Sequence, residues 1–581
     1  MTMLRTFTLG LLLVWLCSAQ EGSRVFLSRC IQCHDPNSNS HAPLPEALAA
    51  MPWENVLKAL ETGSMKAMGA PLSPAERVSV ARYLGKAGPV EMPQMTGACA
   101  AGSKPVPGAA WSGWSPELTN TRFQSAKAAG MTAAQVPTLQ VAWTFGFPNT
   151  TTAYSQPTIS GGRIFTGSND GTVYALDARL GCLYWRYQAK AMVRSVVLAG
   201  PNDQLWFGDL ESNFYALNAS TGKVLWQKKL DSQAFTRITG APVYHQGRLY
   251  VPITSQEENA GAIPSYSCCT FRGNVVALQA KDGKEIWRSF TTPEPKPTGK
   301  SKAGVQFYGP SGATIWSAPT LDLKRKLLYV ATGNGYSGPE LGTEDAVIAM
   351  DMDTGAIRWV HQIAPDMFNW GCAGKQPNDT NCPENPGIDI DPGGSPVLLD
   401  LPNGRQALVQ GRKSAVVHGL DPDNQGKQLW ETTFGKGGAG GGIQWGVASG
   451  DGFVFAGLGE PAGGMYAFDP ASGKIAWNTP SPVPSCAGVR GCSQALKSPP
   501  AVIPGVVFAP AMDGHIRAYE TKTGKIIWDF DTVQDFKTVN GIPARGGSMA
   551  STGPTIANGM LYVNSGYSGL PGNVLIAFNT K

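Results

Sequence analysis

The chain has 581 residues, of which 15% are charged, with a formal net charge of +5 and 42% hydrophobic side chains. Its basic residues are scattered rather than striped, which gives no support to nucleic-acid binding. No segment after the first twenty residues approaches eighteen consecutive apolar residues, which argues against an integral membrane segment. In residues 1–19, Arg5 precedes the apolar run Leu9 to Cys17 and the small pair Ser18-Ala19. This is the pattern of a cleavable secretory signal, so a periplasmic or secreted location is expected. Export makes disulfides plausible among the 11 cysteines. Cys372 with Cys382 and Cys486 with Cys492 would close short loops, and Cys99 is paired with Cys182.

Residues 20–88 carry the next signal. Cys30-Ile31-Gln32-Cys33-His34 is C-x-x-C-H, the attachment pattern of a c-type haem. Two thiols spaced three apart reach the two vinyl groups of one porphyrin, and the adjacent imidazole is delivered to the iron. Gly22 and Phe26 precede Cys30 at intervals of four, which predicts a helix packed against the porphyrin edge. Ser73 and Pro74 read as the N-cap and first residue of a later helix running to Leu84. The segment resembles small α-helical cytochrome c domains, whose axial methionine usually lies seven residues before the leucine that opens the last helix. That resemblance selects Met65 as the second iron ligand, with Met68 as the alternative. A thioether favours reduced iron and raises the potential.

After a Pro/Gly-containing linker at 89–108, one pattern fills residues 109–581. It is visible in Ala175-Leu-Asp-Ala-Arg-Leu-Gly-Cys-Leu-Tyr-Trp185, Ala216-Leu-Asn-Ala-Ser-Thr-Gly-Lys-Val-Leu-Trp226 and Ala277-Leu-Gln-Ala-Lys-Asp-Gly-Lys-Glu-Ile-Trp287. Further copies end at Trp359, Trp430 (one residue longer), Trp477 and Trp528. Each reads as a strand, a tight turn through glycine, and a second strand closing on tryptophan. Spacings of 41 to 72 residues between these tryptophans suit four-stranded propeller blades with insertions. The chain stops at Ala577-Phe-Asn-Thr-Lys581, where an eighth copy would enter its turn, and Val141-Ala-Trp143 supplies the missing strand. The expected fold is therefore mainly β, an eight-bladed propeller whose two chain ends complete one blade. Each tryptophan is expected to stack on the next repeat and donate its indole N–H.

This repeat resembles the tryptophan-docking motif of quinoprotein alcohol dehydrogenases, eight-bladed propellers that hold pyrroloquinoline quinone (PQQ) and Ca²⁺ at the ring axis. A cytochrome placed before the propeller, with Trp111-Ser-Gly-Trp-Ser-Pro-Glu-Leu-Thr-Asn-Thr-Arg-Phe-Gln124 and Cys268-Cys269-Thr-Phe-Arg-Gly273, resembles the branch that oxidises polyvinyl alcohol. The resemblance implies Arg194, Thr239, Thr254 and Lys413 around the quinone, and Trp316 as the floor beneath it. Cys268 and Cys269, joined to each other, would cover the opposite face. It implies Glu257 (alternative Glu258), Asn334 and Asp391 as Ca²⁺ ligands, and Asp391 as general base, with Asp389 and Asp366 as alternatives. These residue types suit the chemistry, because a flat tricarboxylate needs a stacking surface, cations and hydroxyls around its rim. A hard cation needs oxygen ligands.

The implied function is oxidation of secondary alcohol groups, polyvinyl alcohol above all, by hydride transfer to PQQ. Electrons would then leave singly through haem c to an external soluble cytochrome c. The alternatives are the same enzyme class acting on small alcohols, polyols or sugars, and a non-catalytic propeller scaffold with a redox haem. Glu257, Trp316, Asn334 and Lys413 argue against the scaffold.

Overall fold

The computed structural model describes residues 21–35, 42–49, 51–86, 95–261, 263, 265–301, 304–364, 366–367, 387–551, 553–567 and 569–580. The expected secretory signal and the Cys372–Cys382 pair lie outside the described residues. No helix among those described is long and apolar enough to cross a membrane.

The repeat folds as read. Eight antiparallel sheets form blades 1 to 7 over residues 158–188, 198–229, 243–290, 320–362, 397–433, 448–479 and 501–531, with blade 8 at 555–579; seven are four-stranded, and blade 3 gains a fifth short strand, Thr236–Arg237. The outer strand of blade 8 is Gln140–Gly146, from the other end of the propeller, with Trp143 opposite Ala577. The two ends of the propeller thus close the ring by hydrogen bonds. Apolar clusters are shared between neighbours: Phe165, Val173 and Ala175 of blade 1 pack with Leu205, Phe207 and Tyr215 of blade 2. A sheet buried on both faces depends on its neighbours for its core, which favours closure.

Docking follows the predicted geometry with one exception. The indole N–H groups of Trp143, Trp185, Trp226 and Trp287 donate to the carbonyls of Ala178, Ala219, Ala280 and Met352 in the next blade, at 2.9–3.2 Å. Those of Trp430, Trp477 and Trp528 reach Pro470, Thr521 and Leu139 at 2.8–3.3 Å. The indole N–H of Trp359 has no acceptor. Its partner is the copy with one extra residue, where a 3-10 turn at Pro422–Asn424 changes the path before Gly426. The ring still lies on Gly426, so stacking survives where the hydrogen bond does not.

The segment containing Trp111–Gln124 crosses the ring axis. Its backbone bonds the innermost strands of six blades, at Ile159, Ala199, Leu321, Leu398, Ser449 and Val502. The Gln124 amide adds a bond to Ile556 in blade 8. Arg122, fully buried, donates to the carbonyls of Trp114, Pro500 and Pro554 and to Gln156.

The N-terminal helices include Trp53–Glu61, Lys66–Gly69 and Pro74–Leu84. Ser73 caps the last of these in a reciprocal box with Glu76, and Pro74 opens it, as expected. Gly22 lies so close to this helix that a Cβ would fall 2.3 Å from the Ser79 carbonyl oxygen. The helices rest on turns between the second and third strands of blades 1 and 2: Lys58 donates to the Asp170 carbonyl at 2.6 Å, and Lys66 pairs with Glu211 at 2.8 Å. The preceding linker follows the outer strand of blade 1, where Cys99 is joined to Cys182 as expected. Cys486 and Cys492 are joined as well.

Glycine at positive φ in the docking turn also touches the neighbouring tryptophan, and mutation can separate the two effects. Gly222 has φ +69°, and an added Cβ would meet the Trp185 ring at 2.7 Å, whereas Gly247, in the hairpin turn between the first two strands of blade 3, has φ +81° with open space around it. Gly247→Ala is expected to cost only the backbone strain, about 1 kcal/mol. Gly222→Ala should cost about 1–3 kcal/mol more through overpacking. Denaturant unfolding of the two variants checks the difference; equal losses would contradict the stacking role.

Candidate active site

The turns that touch the helical part and those that carry the predicted site residues leave the propeller on the same face. Each joins a second strand to a third. Asn334 follows Leu327–Ala331 in blade 4, Lys413 lies between Gln406–Arg412 and Val416–Asp421 in blade 5, and Glu257–Gly261 follows Arg248–Ser255 in blade 3. Below them, at the axis, is a cleft lined by Trp114, Arg194, Thr239, Trp316 and Trp445 among others.

Trp316 is the centre of this arrangement. Its ring meets Trp445 edge-on at 4.9 Å, its indole N–H donates to Asp391 Oδ2 at 3.2 Å, and the Lys413 ammonium lies 5.5 Å from its centroid. A Cβ on Gly393 would fall inside the ring, 1.6 Å from Cζ2. Gly393 therefore makes room for the indole, while Gly394 lets the loop approach the backbone at Trp445–Gly446. Arg194 stacks over Tyr154 at 5.2 Å and Trp445 at 4.8 Å, so its guanidinium is held against the cleft by two aromatic faces.

Lys413 Nζ sits 2.7 Å from Asp389 Oδ1 and 2.6 Å from Asp391 Oδ1, with all three side chains buried. Burial draws the ammonium down, but Asp391 and Asp389 outweigh it and hold Lys413 protonated, well above the usual lysine range. Burial pushes Asp389 up to about 7, opposed by Lys413 and aided by Asp391. Glu258 is raised well above the carboxylate range by burial and then by Asp389; its Oε1 accepts from the Asn334 amide at 3.1 Å. Asp366 accepts from the Ile390 N–H at 3.0 Å and so braces the 387–391 loop from outside.

The glutamate register differs from the first expectation. The Glu257 carboxylate is turned to its own loop, accepting from Tyr266 Oη at 2.7 Å, Thr270 N at 2.8 Å and Phe271 N at 2.7 Å. It pins the stretch holding Cys268–Cys269, which are joined to each other as expected. Glu258, the alternative, is the one that meets Asn334. Neighbouring positions on a helix point about 100° apart, so only one can face that asparagine. Thr239 lines the cleft. Thr254 is buried on its strand opposite Arg237 and is absent from the cleft wall.

A cation suits this cluster. Glu258, Asp389 and Asp391 carry three potential negative charges against one lysine, and the buried Asp389 Oδ2 and Asp366 Oδ1 accept no hydrogen bond. Buried charge of this kind demands compensation. No three acidic, histidine or cysteine side chains among the described residues form a ready-made metal cage. The donor set that fits is mixed: carboxylates with the Asn334 amide, hard oxygen ligands of the type Ca²⁺ takes. Trp316, Arg194 and Thr239, which line the cleft, are the aromatic, cationic and hydroxyl groups that a flat polycarboxylate needs.

Sequence reading missed Trp445, Tyr154 and Trp114 as cleft residues. Trp445 had a visible sign: it stands outside the docking register, at the end of the glycine-rich run Gly435-Lys-Gly-Gly-Ala-Gly-Gly-Gly442.

A cytochrome-like helical segment on an eight-bladed propeller, with a tryptophan-floored cleft over buried acids and one lysine, defines a quinoprotein-type dehydrogenase site. Residues 239–377 match the family model described as glucose/ethanol/alcohol dehydrogenase, β-propeller domain. The repeats at 110–268, 413–545 and 491–581 match the model described as outer membrane protein assembly factor BamB, which shares the blade pattern. The chain is 39% identical to the polyvinylalcohol dehydrogenase of Sphingopyxis sp. (strain 113P3), over 96% of this chain and 92% of that protein. It is likewise 39% identical to that of a Pseudomonas sp., over 96% and 93%. The quinohaemoprotein alcohol dehydrogenase ADHIIG of Pseudomonas putida HK5 has the same fold, with a TM-score of 0.62 at 18% identity, covering 81% of this chain and 80% of that one. The chain belongs to the PQQ-dependent alcohol dehydrogenase family, and it is an enzyme of that class.

The two adjacent glutamates are separable. Glu258→Gln is expected to raise the Ca²⁺ concentration needed for half-maximal activity by about 10–100-fold with little change in unfolding. Glu257→Gln should leave the Ca²⁺ requirement alone and cost about 1.5–3 kcal/mol of stability through lost charged hydrogen bonds. The reverse pattern in a Ca²⁺ titration and a melting curve would restore the Glu257 assignment.

Proposed function

We propose that this enzyme oxidises the secondary alcohol groups of polyvinyl alcohol in the periplasm and passes the electrons singly, through a haem c on the N-terminal helices, to an external cytochrome c. The observation that carries the chemical part is the Lys413 ammonium bridging Asp389 and Asp391 at the edge of Trp316. The polymer as substrate is supported by the two polyvinylalcohol dehydrogenases matched along nearly the whole chain.

Bound PQQ would supply a hydride acceptor, Ca²⁺ a Lewis acid beside it, and haem c a one-electron exit. The protein's own residues do the rest. Trp316 gives the cofactor a flat surface, and Arg194 and Thr239 offer a cation and a hydroxyl to its carboxylates. Glu258, Asn334 and Asp391 would supply the cation's oxygen ligands.

Asp389, rather than Asp391, is the better general base. Asp391 Oδ1 accepts no hydrogen bond but lies in ion-pair contact with Lys413 at 2.6 Å, and its Oδ2 is bonded to the Trp316 indole; Asp389 has Oδ1 bonded to Lys413 and Oδ2 without a hydrogen bond. A carboxylate raised to about 7 also takes a hydroxyl proton more readily than an ordinary aspartate. Lys413 holds both carboxylates in place.

On the haem side, Cys30 and Cys33 precede His34, whose buried ring has Nδ1 2.7 Å from the Pro43 carbonyl oxygen. An Nδ1–H donated there leaves Nε2 for the iron. Met65 packs against the apolar core of the small helices, while Met68 is 38% exposed, which favours Met65 as the second ligand.

Asp389→Asn, loaded with PQQ and Ca²⁺, is expected to retain both and lose turnover about 10²–10⁴-fold. Wild-type protein tested on polyvinyl alcohol, small secondary alcohols, polyols and sugars should show its highest kcat/KM with the polymer. Normal turnover by Asp389→Asn would return the base to Asp391, and a clear preference for a sugar or small alcohol would overturn the polymer assignment.

A further inference from the structure

The loop that carries Met65 is gripped from the propeller side. Arg237 Nη2 donates to the Gly63 carbonyl at 2.8 Å and also bonds the Gln256 side-chain oxygen. The Gln256 amide in turn donates to the Ser64 carbonyl at 2.8 Å. One residue beyond Met65, Lys66 Nζ pairs with Glu211 at 2.8 Å, and the next, Ala67, is buried against Phe235 and Ala260 of the propeller. Residues 63, 64, 66 and 67 are thus all fixed by blades 2 and 3. Met65 itself has backbone bonds to Ala59 and Gly69 and packs within the small helices.

Arg237 is an expensive way to make such a contact. It is buried, its Nε has no acceptor, and no carboxylate among the described residues comes within ion-pair distance. An unpaired buried cation costs more than an apolar residue of similar volume, so the return must come from what its fork holds together. That fork joins Gly63, two residues before the methionine, to Gln256, two residues before Glu258. Its own backbone is paired with Thr254.

We propose that Arg237 and Gln256 are positioning residues for the haem's methionine ligand: the propeller, rather than the small helical part alone, holds Met65 on the iron and so sets the haem's reduction potential. The proposal rests on the reading of Met65 as the axial ligand. Methionine raises the potential of a haem relative to weaker or harder sixth ligands, and groups behind a ligand fix its orientation. A loop released from Arg237 and Gln256 would let the thioether leave.

The test uses the full-length protein with haem attached, as wild type and as Arg237→Leu, Gln256→Leu and Lys58→Met variants. Lys58→Met removes a different contact between the same two parts, the bond to the Asp170 carbonyl. Two properties are read without turnover: the long-wavelength sulfur-to-iron charge-transfer band of the oxidised haem, and its midpoint potential by titration. The expected result is loss of the band and a lower potential in Arg237→Leu and Gln256→Leu, with both kept in Lys58→Met. Gln256→Leu leaves the buried guanidinium in place and so keeps the test informative if Arg237→Leu folds poorly. Wild-type band and potential in both Leu variants, or equal loss in Lys58→Met, would overturn the positioning role. Absence of the band from the wild type itself would instead overturn the Met65 assignment beneath it.

Discussion

The structure turns on the closure of eight blades around one occupied axis. A ring of sheets has no core of its own at the centre, and the strand edges that converge there present backbone groups needing partners. The segment containing Trp111–Gln124 supplies those partners to seven blades, and Arg122 ties Trp114, Gln156, Pro500 and Pro554 together from within. Burial pulls its pKa down to about 9, and four oxygen acceptors make its charge tolerable. Because Trp114 also lines the cleft, the segment that bonds the inner strands also forms part of the wall of the candidate active site.

From that closure follows the gathering of residues remote in sequence. Arg194, Thr239, Glu258, Trp316, Asn334, Asp389, Asp391, Lys413 and Trp445 come from blades 2 to 5 and the loop entering blade 6. Each sits on or near an inner strand or a turn at one end of the propeller. The excess of buried carboxylates over Lys413 is sustainable only with a cation or protons to balance it. Asp389 and Glu258 are both raised, the protonated state being the alternative to a bound cation. The turns of blades 1 and 2 that carry the N-terminal helices lie at the same end of the propeller as the candidate-site turns of blades 3 to 5, so a haem on those helices would face the proposed site of oxidation.

Much of this was legible because it repeats. A tryptophan and a left-handed glycine recurring seven times leave little choice of fold, and the strand at Trp143 marks the closing edge in the sequence itself. The vicinal pair Cys268–Cys269 was legible only through the resemblance to quinoprotein dehydrogenases, and Cys99–Cys182 was a pairing of the two thiols left over once that pair and the short loops were set aside. What escaped had no period. Glu257 and Glu258 differ by one helical step, and sequence carries no phase for a helix of five residues. The extra residue before Trp430 was visible, but its consequence, an indole of Trp359 without an acceptor, depends on the path of a turn. Arg237 looked like any strand cation, since only the packing of a distant loop onto blade 3 makes it a buried link. The choice between Asp389 and Asp391 rested on which oxygens were already occupied, which only geometry reveals.

The central claim is that one polypeptide both removes hydride from an alcohol at the propeller axis and exports the electrons through its N-terminal helices. Anaerobic rapid mixing of the PQQ- and Ca²⁺-loaded protein with its alcohol, in the absence of any external acceptor, tests it most directly through the visible α band of the haem. The account predicts that the haem is reduced in the first turnover, in step with product formation, and that Asp389→Asn abolishes both together. Product formed with the haem still oxidised would contradict it.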